Sequence, residues 1–250
     1  MGLQIGQALG RGTRRTLSAS GVVLVVSMLL YQFAMVGAVN TLVANSLPPE
    51  VASEASAAGG IGVTFPVSTP VAAAITAIAV LFGAAVFFVA TRLLARELSS
   101  LGSVPLSLVS RRFGWAFLST LAVSLVLSIV IPIGLVMLLV PGIFLAVSFQ
   151  FAIFAVGVED CGPIAALKRS WELATGNRWR LFGLLLLVFV IGAVAGGVGT
   201  VVSLVDPTAA QYVSILINSV LIVVTYGILA DAFVQLGGGS TASAAGTPAL

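Results

Sequence analysis

The chain has 250 residues, of which 59% are apolar and only 8% charged, with a formal net charge of +3. Soluble globular chains carry about 25% charged residues, so this composition excludes an ordinary water-soluble domain and points to a bilayer as solvent. There is no His, and Cys161 is the single Cys, which excludes His/Cys metal centres, Cys-His and Ser-His-Asp catalysis and intramolecular disulfides.

The first element is a short polar, basic segment, residues 5–16, carrying Arg11, Arg14 and Arg15. Apolar residues 21–43 follow, long enough at about 1.5 Å per residue to cross the hydrocarbon core. Arg14-Arg15 ahead of this run also resembles a twin-arginine export signal, but the run far exceeds the roughly 7 to 15 residues of a signal h-region. A retained helix is therefore expected. Residues 45–69, rich in Ser, Ala, Gly and Pro with Glu50 and Glu54, read as an external loop. Pro70 suits the first turn of a second span, 71–94, after which Arg92 and Arg96 return the chain to the cytoplasmic side. Residues 103–112 form a second short basic segment ending in Arg111-Arg112.

No charge occurs between Phe113 and Val158. That stretch is too long for one crossing and suits a tight hairpin of two, 113–135 and 141–158, with Pro132 and Pro141-Gly142 marking the candidate bend. The third basic segment precedes a fifth span, 181–204, an outer turn at Asp206-Pro207 and a sixth span, 210–236. Residues 237–250 are Gly/Ser/Ala-rich and read as a disordered cytoplasmic tail. The resulting fold class is an all-α membrane protein of six transmembrane helices. They form three helical hairpins, with short cytoplasmic amphipathic helices before the hairpins, as a weak internal repeat.

All eleven basic residues then lie inside and only Glu50, Glu54 and Asp206 outside, as the positive-inside rule requires. A single Arg forced to a helix centre would cost about 2.5 to 3.5 kcal/mol. A cell-membrane location with both termini cytoplasmic follows. Nucleic acid is not an expected partner, because the bases abut hydrophobic segments and no basic domain is present.

The most distinctive stretch is 158–180. Asp160 with Gly162-Pro163 marks a helix start and Gly176-Asn177 a left-handed stop, giving an interfacial helix over 163–175. At 100° per residue Ile164, Leu167, Trp171 and Ala174 share one face, Lys168, Arg169 and Glu172 another, and Leu173 breaks the pattern. Glu159, Lys168, Arg169, Trp171, Arg178, Trp179 and Arg180 are candidates for contact with anionic lipid headgroups or a protein partner. The competing reading is that this helix only anchors the hairpins. Glu159 either neutralises one of the helix's own bases or caps its end.

Pro141-Gly142-Ile143, Glu159, Gly162-Pro163, Ala166-Leu167-Lys168-Arg169-Ser170-Trp171-Glu172-Leu173 and Gly176-Asn177-Arg178-Trp179 together resemble an uncharacterised prokaryotic membrane family. That family is related to the membrane domain of some glycerophosphoryl diester phosphodiesterases. The resemblance is most specific over residues 139–185 and implies a six-span integral membrane protein. In those fusions hydrolysis belongs to a separate soluble domain, which these residues do not include, so no phosphodiesterase activity is carried over.

Gly192, Gly196, Gly197 and Gly199 with Ala193 and Ala195 line the fifth span with small residues suited to close helix packing, and Ala79 and Gly83 do so more weakly in the second. For Gln150 and Asn218, hydrogen bonding between helices is favoured over substrate binding. No ionisable group falls near a span midplane, which counts against ion-coupled transport. No catalytic, cofactor-binding or metal-ligating set emerges, so the chain is not expected to be an enzyme. A scaffold or a lipid- or partner-interacting factor leads; a transporter or channel for a neutral or lipidic solute is the alternative.

Overall fold

A computed structural model describes residues 4–96, 100–102 and 112–237. Among these the chain is helical, without strands. In order the helices are α1 (Ile5–Thr16), α2 (Ala19–Ser46), α3 (Pro49–Ala57), α4 (Thr69–Leu94), α5 (Phe113–Met137), α6 (Leu139–Phe149), α7 (Ala152–Glu159), α8 (Pro163–Ala174), α9 (Arg178–Ser203) and α10 (Pro207–Gln235). Among the described residues six stretches are long and apolar enough to cross a membrane: α2, α4, α5, the run Val140–Glu159 that spans α6 and α7, α9 and α10. The basic segment 103–111 and the tail 238–250 lie outside the described residues.

Two elements depart from the sequence reading, and the bend between the third and fourth spans follows it. Part of the expected external loop is helical, because Pro49 supplies a preset φ at the first position of α3 and Glu50 sits in its first turn. The bend of the second hairpin falls at Leu138, within the gap expected between residues 135 and 141, and its extended backbone (φ −158°, ψ 131°) separates α5 from α6. Pro141 then occupies the first turn of α6, where its missing N–H costs no helical bond, while α5 continues through Pro132. The fourth span is also broken between Phe149 and Ala152. There the Phe151 N–H donates to Ser170 Oγ (3.1 Å), and Ser170 Oγ–H donates to the Ser148 carbonyl (2.8 Å). A hydroxyl from α8 therefore takes the place of helical bonds at the break.

The described chain divides into two compact units. The first comprises residues 1–22, 87–188 and 224–250 and includes every described Lys and Arg. Its interior is aromatic: Phe154 lies 5.6 Å from Tyr226 and 5.8 Å from Phe233, Phe151 lies 5.9 Å from Phe233, and Phe88 meets Phe113 edge-on at 5.5 Å. In it α1 lies directly on α10. A Cβ at Gly12 would come within 2.7 Å of the Ile228 nitrogen, and one at Gly227 within 2.7 Å of the Gly12 oxygen. Contact that close requires glycine on both helices.

The second unit comprises residues 23–86 and 189–223 and carries Glu50, Glu54 and Asp206 but no base. Residues 61–67 run beside α2 and are held by its side chains. Asn40 Nδ2 donates to the Val63 carbonyl (3.0 Å), the Phe65 N–H donates to Thr41 Oγ1 (2.7 Å), and Asn45 Nδ2 donates to the Val67 carbonyl (3.3 Å). The Val63 N–H is taken by Gln211 Oε1. These bonds satisfy backbone that no helix or sheet serves. Gly37 leaves room for the Phe65 ring, which lies 5.7 Å from Phe33, and Gly83 leaves room for Tyr31.

Candidate functional site

The charged residues of the first unit sort into those paired within the protein and those left at its surface. Arg15, at the end of α1, donates to the carbonyls of Leu94 and Arg96 and, at 3.3 Å, to Asp231 Oδ1 on α10. The two side chains are 5% and 2% exposed. Gln235 Nε2 donates to the other carboxylate oxygen at 2.7 Å. Burial lowers the proton affinity of Arg15, opposed by Asp231, but a guanidinium does not deprotonate in a protein, so the charge is present and must be matched.

Arg92 near the end of α4 donates from Nε to the Gly157 carbonyl (2.9 Å) and from Nη2 to Asp160 Oδ1, and its guanidinium lies 4.4 Å from the Phe88 ring centre. Asp160 reaches it from a left-handed backbone position (φ 52°) that closes α7, a conformation Asp tolerates better than most residues. The third pair joins Arg169 of α8 to Glu159 of α7, two-pronged, with Nε 3.0 Å from Oε2 and Nη2 3.2 Å from Oε1. Glu159 therefore neutralises a base of the following helix. Between these acids the Cys161 thiol donates to the Ala155 carbonyl (3.1 Å), and burial, with Glu159 nearby, pushes its pKa up to about 11. It is a poor nucleophile.

The orientation of α8 differs from the helical-wheel expectation. Ala166, Ser170, Leu173 and Ala174 are buried, while Ile164 is 78% exposed. Leu173 thus belongs to the packed face. Small side chains let α8 approach α6 and α7 closely, and the large Ile164 is left outward. Trp171 lies between these regions, its ring 5.5 Å from Phe144 and 5.8 Å from Phe149.

Arg178, the first residue of α9, places its guanidinium 4.6 Å from the Phe144 ring centre and 4.5 Å from that of Trp171. Its one side-chain partner is Thr175 Oγ1 at 3.5 Å, and its Nε is buried without a partner. Lys168 and Arg180 are exposed and Trp179 is 87% exposed. No carboxylate pairs with Lys168, Arg178 or Arg180 among the described residues. A cavity of about 360 Å³ adjoins Arg178, lined by Val140, Ile143, Phe144, Val147, Arg178, Trp179 and Phe182.

Of the four α9 glycines expected to pack, Gly199 has a close neighbour among the described residues, Ser214 Oγ at 2.5 Å from an added Cβ, whereas Gly192, Gly196 and Gly197 have none within 4 Å. Asn218 bonds within its own helix, to the Ser214 carbonyl (2.9 Å), and the buried Gln150 amide has no hydrogen-bond partner among the described residues. Neither forms the interhelical bond expected of it: Asn218 reaches the carbonyl one turn back, and Gln150 sits at the α6–α7 break. Among the described residues no group of three His, Cys, Asp or Glu side chains is placed to hold a metal.

Sequence reasoning did not find the Arg15–Asp231 and Arg92–Asp160 pairs. A signal for the first existed: Asp231 is the one charged residue of a long apolar helix, and such a carboxylate implies a partner. No curated protein and no solved structure matches the chain. A family profile does, over residues 3–236, so nearly the whole of this six-span helical chain belongs to the family described as Domain of unknown function (DUF7847).

Proposed function

We propose that the protein is a non-enzymatic component of the cell membrane that works at its basic end, facing the cytoplasm with both termini, where it engages anionic lipid headgroups. The observation that carries this reading is the division of its bases. Arg15, Arg92 and Arg169 are matched by Asp231, Asp160 and Glu159, whereas Lys168, Arg178 and Arg180 have no carboxylate partner among the described residues, and Lys168, Arg180 and Trp179 are exposed. Unmatched bases with an interfacial Trp favour anionic headgroups, at about 1 kcal/mol per base near the surface. The resemblance over residues 139–185 to the membrane domain found with some glycerophosphoryl diester phosphodiesterases accords with a lipid-facing role, and hydrolysis in those proteins lies elsewhere. In nanodiscs of mixed phosphatidylglycerol and phosphatidylcholine, Lys168→Gln with Arg180→Gln should reduce the enrichment of phosphatidylglycerol around the protein several-fold, read by lipid mass spectrometry. Equal enrichment in both proteins would exclude it.

One observation favours a second reading, passage of a neutral or lipidic solute. The fourth span is discontinuous at Gln150, whose buried amide is unpartnered among the described residues, and broken helices form the substrate sites of many transporters. Solute flux in reconstituted vesicles that is lost in Gln150→Leu would select this reading over the first.

A further inference from the structure

The cavity beside Arg178 is both apolar and charged, and its chemistry specifies an occupant more closely than a basic surface does. Val140, Ile143 and Val147 of α6 and Phe182 of α9 give it an aliphatic and aromatic wall, and Arg178 is its one charged lining residue. At about 360 Å³ it falls within the range of small-molecule sites, about 300 to 1,000 Å³. Both helices are membrane-spanning segments, so the apolar molecule at hand is an acyl chain.

The guanidinium sits over two rings set nearly at right angles (77°), 4.6 Å from the centre of Phe144 and 4.5 Å from that of Trp171. Those contacts hold its position but supply no anion. Among the described residues no carboxylate reaches it, and the Thr175 hydroxyl at 3.5 Å is a weak partner. A guanidinium held in place with unfilled donors matches a phosphate in charge and hydrogen bonding, and the positive end of α9, which Arg178 opens, adds to the attraction. We infer that this cavity is a binding site for one anionic phospholipid, its acyl chain against Val140, Ile143, Val147 and Phe182 and its phosphate on Arg178.

The inference rests on the reading that the basic end meets anionic lipid, but it is separable from it. The general surface reading uses Lys168 and Arg180, the site uses Arg178 and the apolar wall. The test is native mass spectrometry of the full chain released from phosphatidylglycerol/phosphatidylcholine nanodiscs, counting lipid that stays bound under collisional activation. The expected result is one retained phosphatidylglycerol per chain. Arg178→Gln and, independently, Ile143→Trp, which fills the cavity and leaves every charge in place, should each lower its occupancy about tenfold, whereas Lys168→Gln with Arg180→Gln should keep it. Thermal melting of each variant identifies any that fails to fold, and the other then decides. Retention unchanged by either variant, equal retention of phosphatidylcholine, or no retained lipid would overturn the site. Lost enrichment in the Lys168/Arg180 variant with no retained lipid would leave the surface reading standing alone.

Discussion

Asp231→Ala should destabilise the protein by about 3 to 5 kcal/mol, the cost of removing one partner from a buried ion pair. Arg15 cannot relieve the loss by shedding its proton, and its remaining partners, the carbonyls of Leu94 and Arg96, carry only partial charge. Arg11 lies 3.9 Å from the same carboxylate and is about half exposed, so water screens it and its loss should matter far less. Because α1 meets α10 through the Gly12–Gly227 contact, the helix has no flexible side chain there to absorb the shift. Unfolding of the detergent-solubilised protein by denaturing surfactant measures the effect. Arg15→Met with Asp231→Leu should recover much of the loss, since two apolar groups strand no charge. A single variant within 1 kcal/mol of the parent would show that the pair does not hold α1 to the bundle.

Arg92→Met should have a comparable effect, about 3 to 5 kcal/mol, because it takes the guanidinium from Asp160 and a donor from the Gly157 carbonyl. Arg92→Lys keeps the charge but not the fork. One ammonium replaces two donors aimed at different oxygens and loses the guanidinium contact with the Phe88 ring, so a loss of about 1 to 3 kcal/mol is expected. Asp160→Asn isolates the charge, since Asn also tolerates the left-handed backbone at that position. It should fall between the two. The same unfolding measurement orders the three variants, and a lysine variant as unstable as the methionine one would show that geometry, not charge, dominates.

These pairs also show why the unoccupied bases are informative. A basic residue near a membrane is ordinarily explained by topology alone. Here three arginines have specific protein partners, and Arg178 has instead two aromatic rings and an adjoining apolar cavity. From the sequence, the seven candidates over 159–180 form one interfacial set whose partners are not assigned. Glu159 and Arg169 answer to each other, the Arg178 guanidinium lies over the Trp171 ring, and Lys168, Trp179 and Arg180 are exposed. The same distinction separates the glycines of α9, where Gly199 meets Ser214 and Gly192, Gly196 and Gly197 have no neighbour within 4 Å among the described residues.

Helical class and six long apolar stretches were legible in the chain itself, because a bilayer demands about 20 consecutive apolar residues per crossing and charges cannot be hidden within them. Local chemistry was legible as well: Pro163 at the start of α8 and Gly176, with φ at +83°, just beyond its end. The face that α8 buries was decided only by the tertiary structure. In water an apolar stripe identifies the packed side, but beside lipid an outward Ile164 and an inward Leu173 are both in apolar company, and close approach of small residues chooses between them. Charge pairing was likewise beyond the sequence. Arg15 and Asp231 are 216 positions apart and Arg92 and Asp160 are 68, and no spacing rule connects residues brought together by the meeting of separate helices.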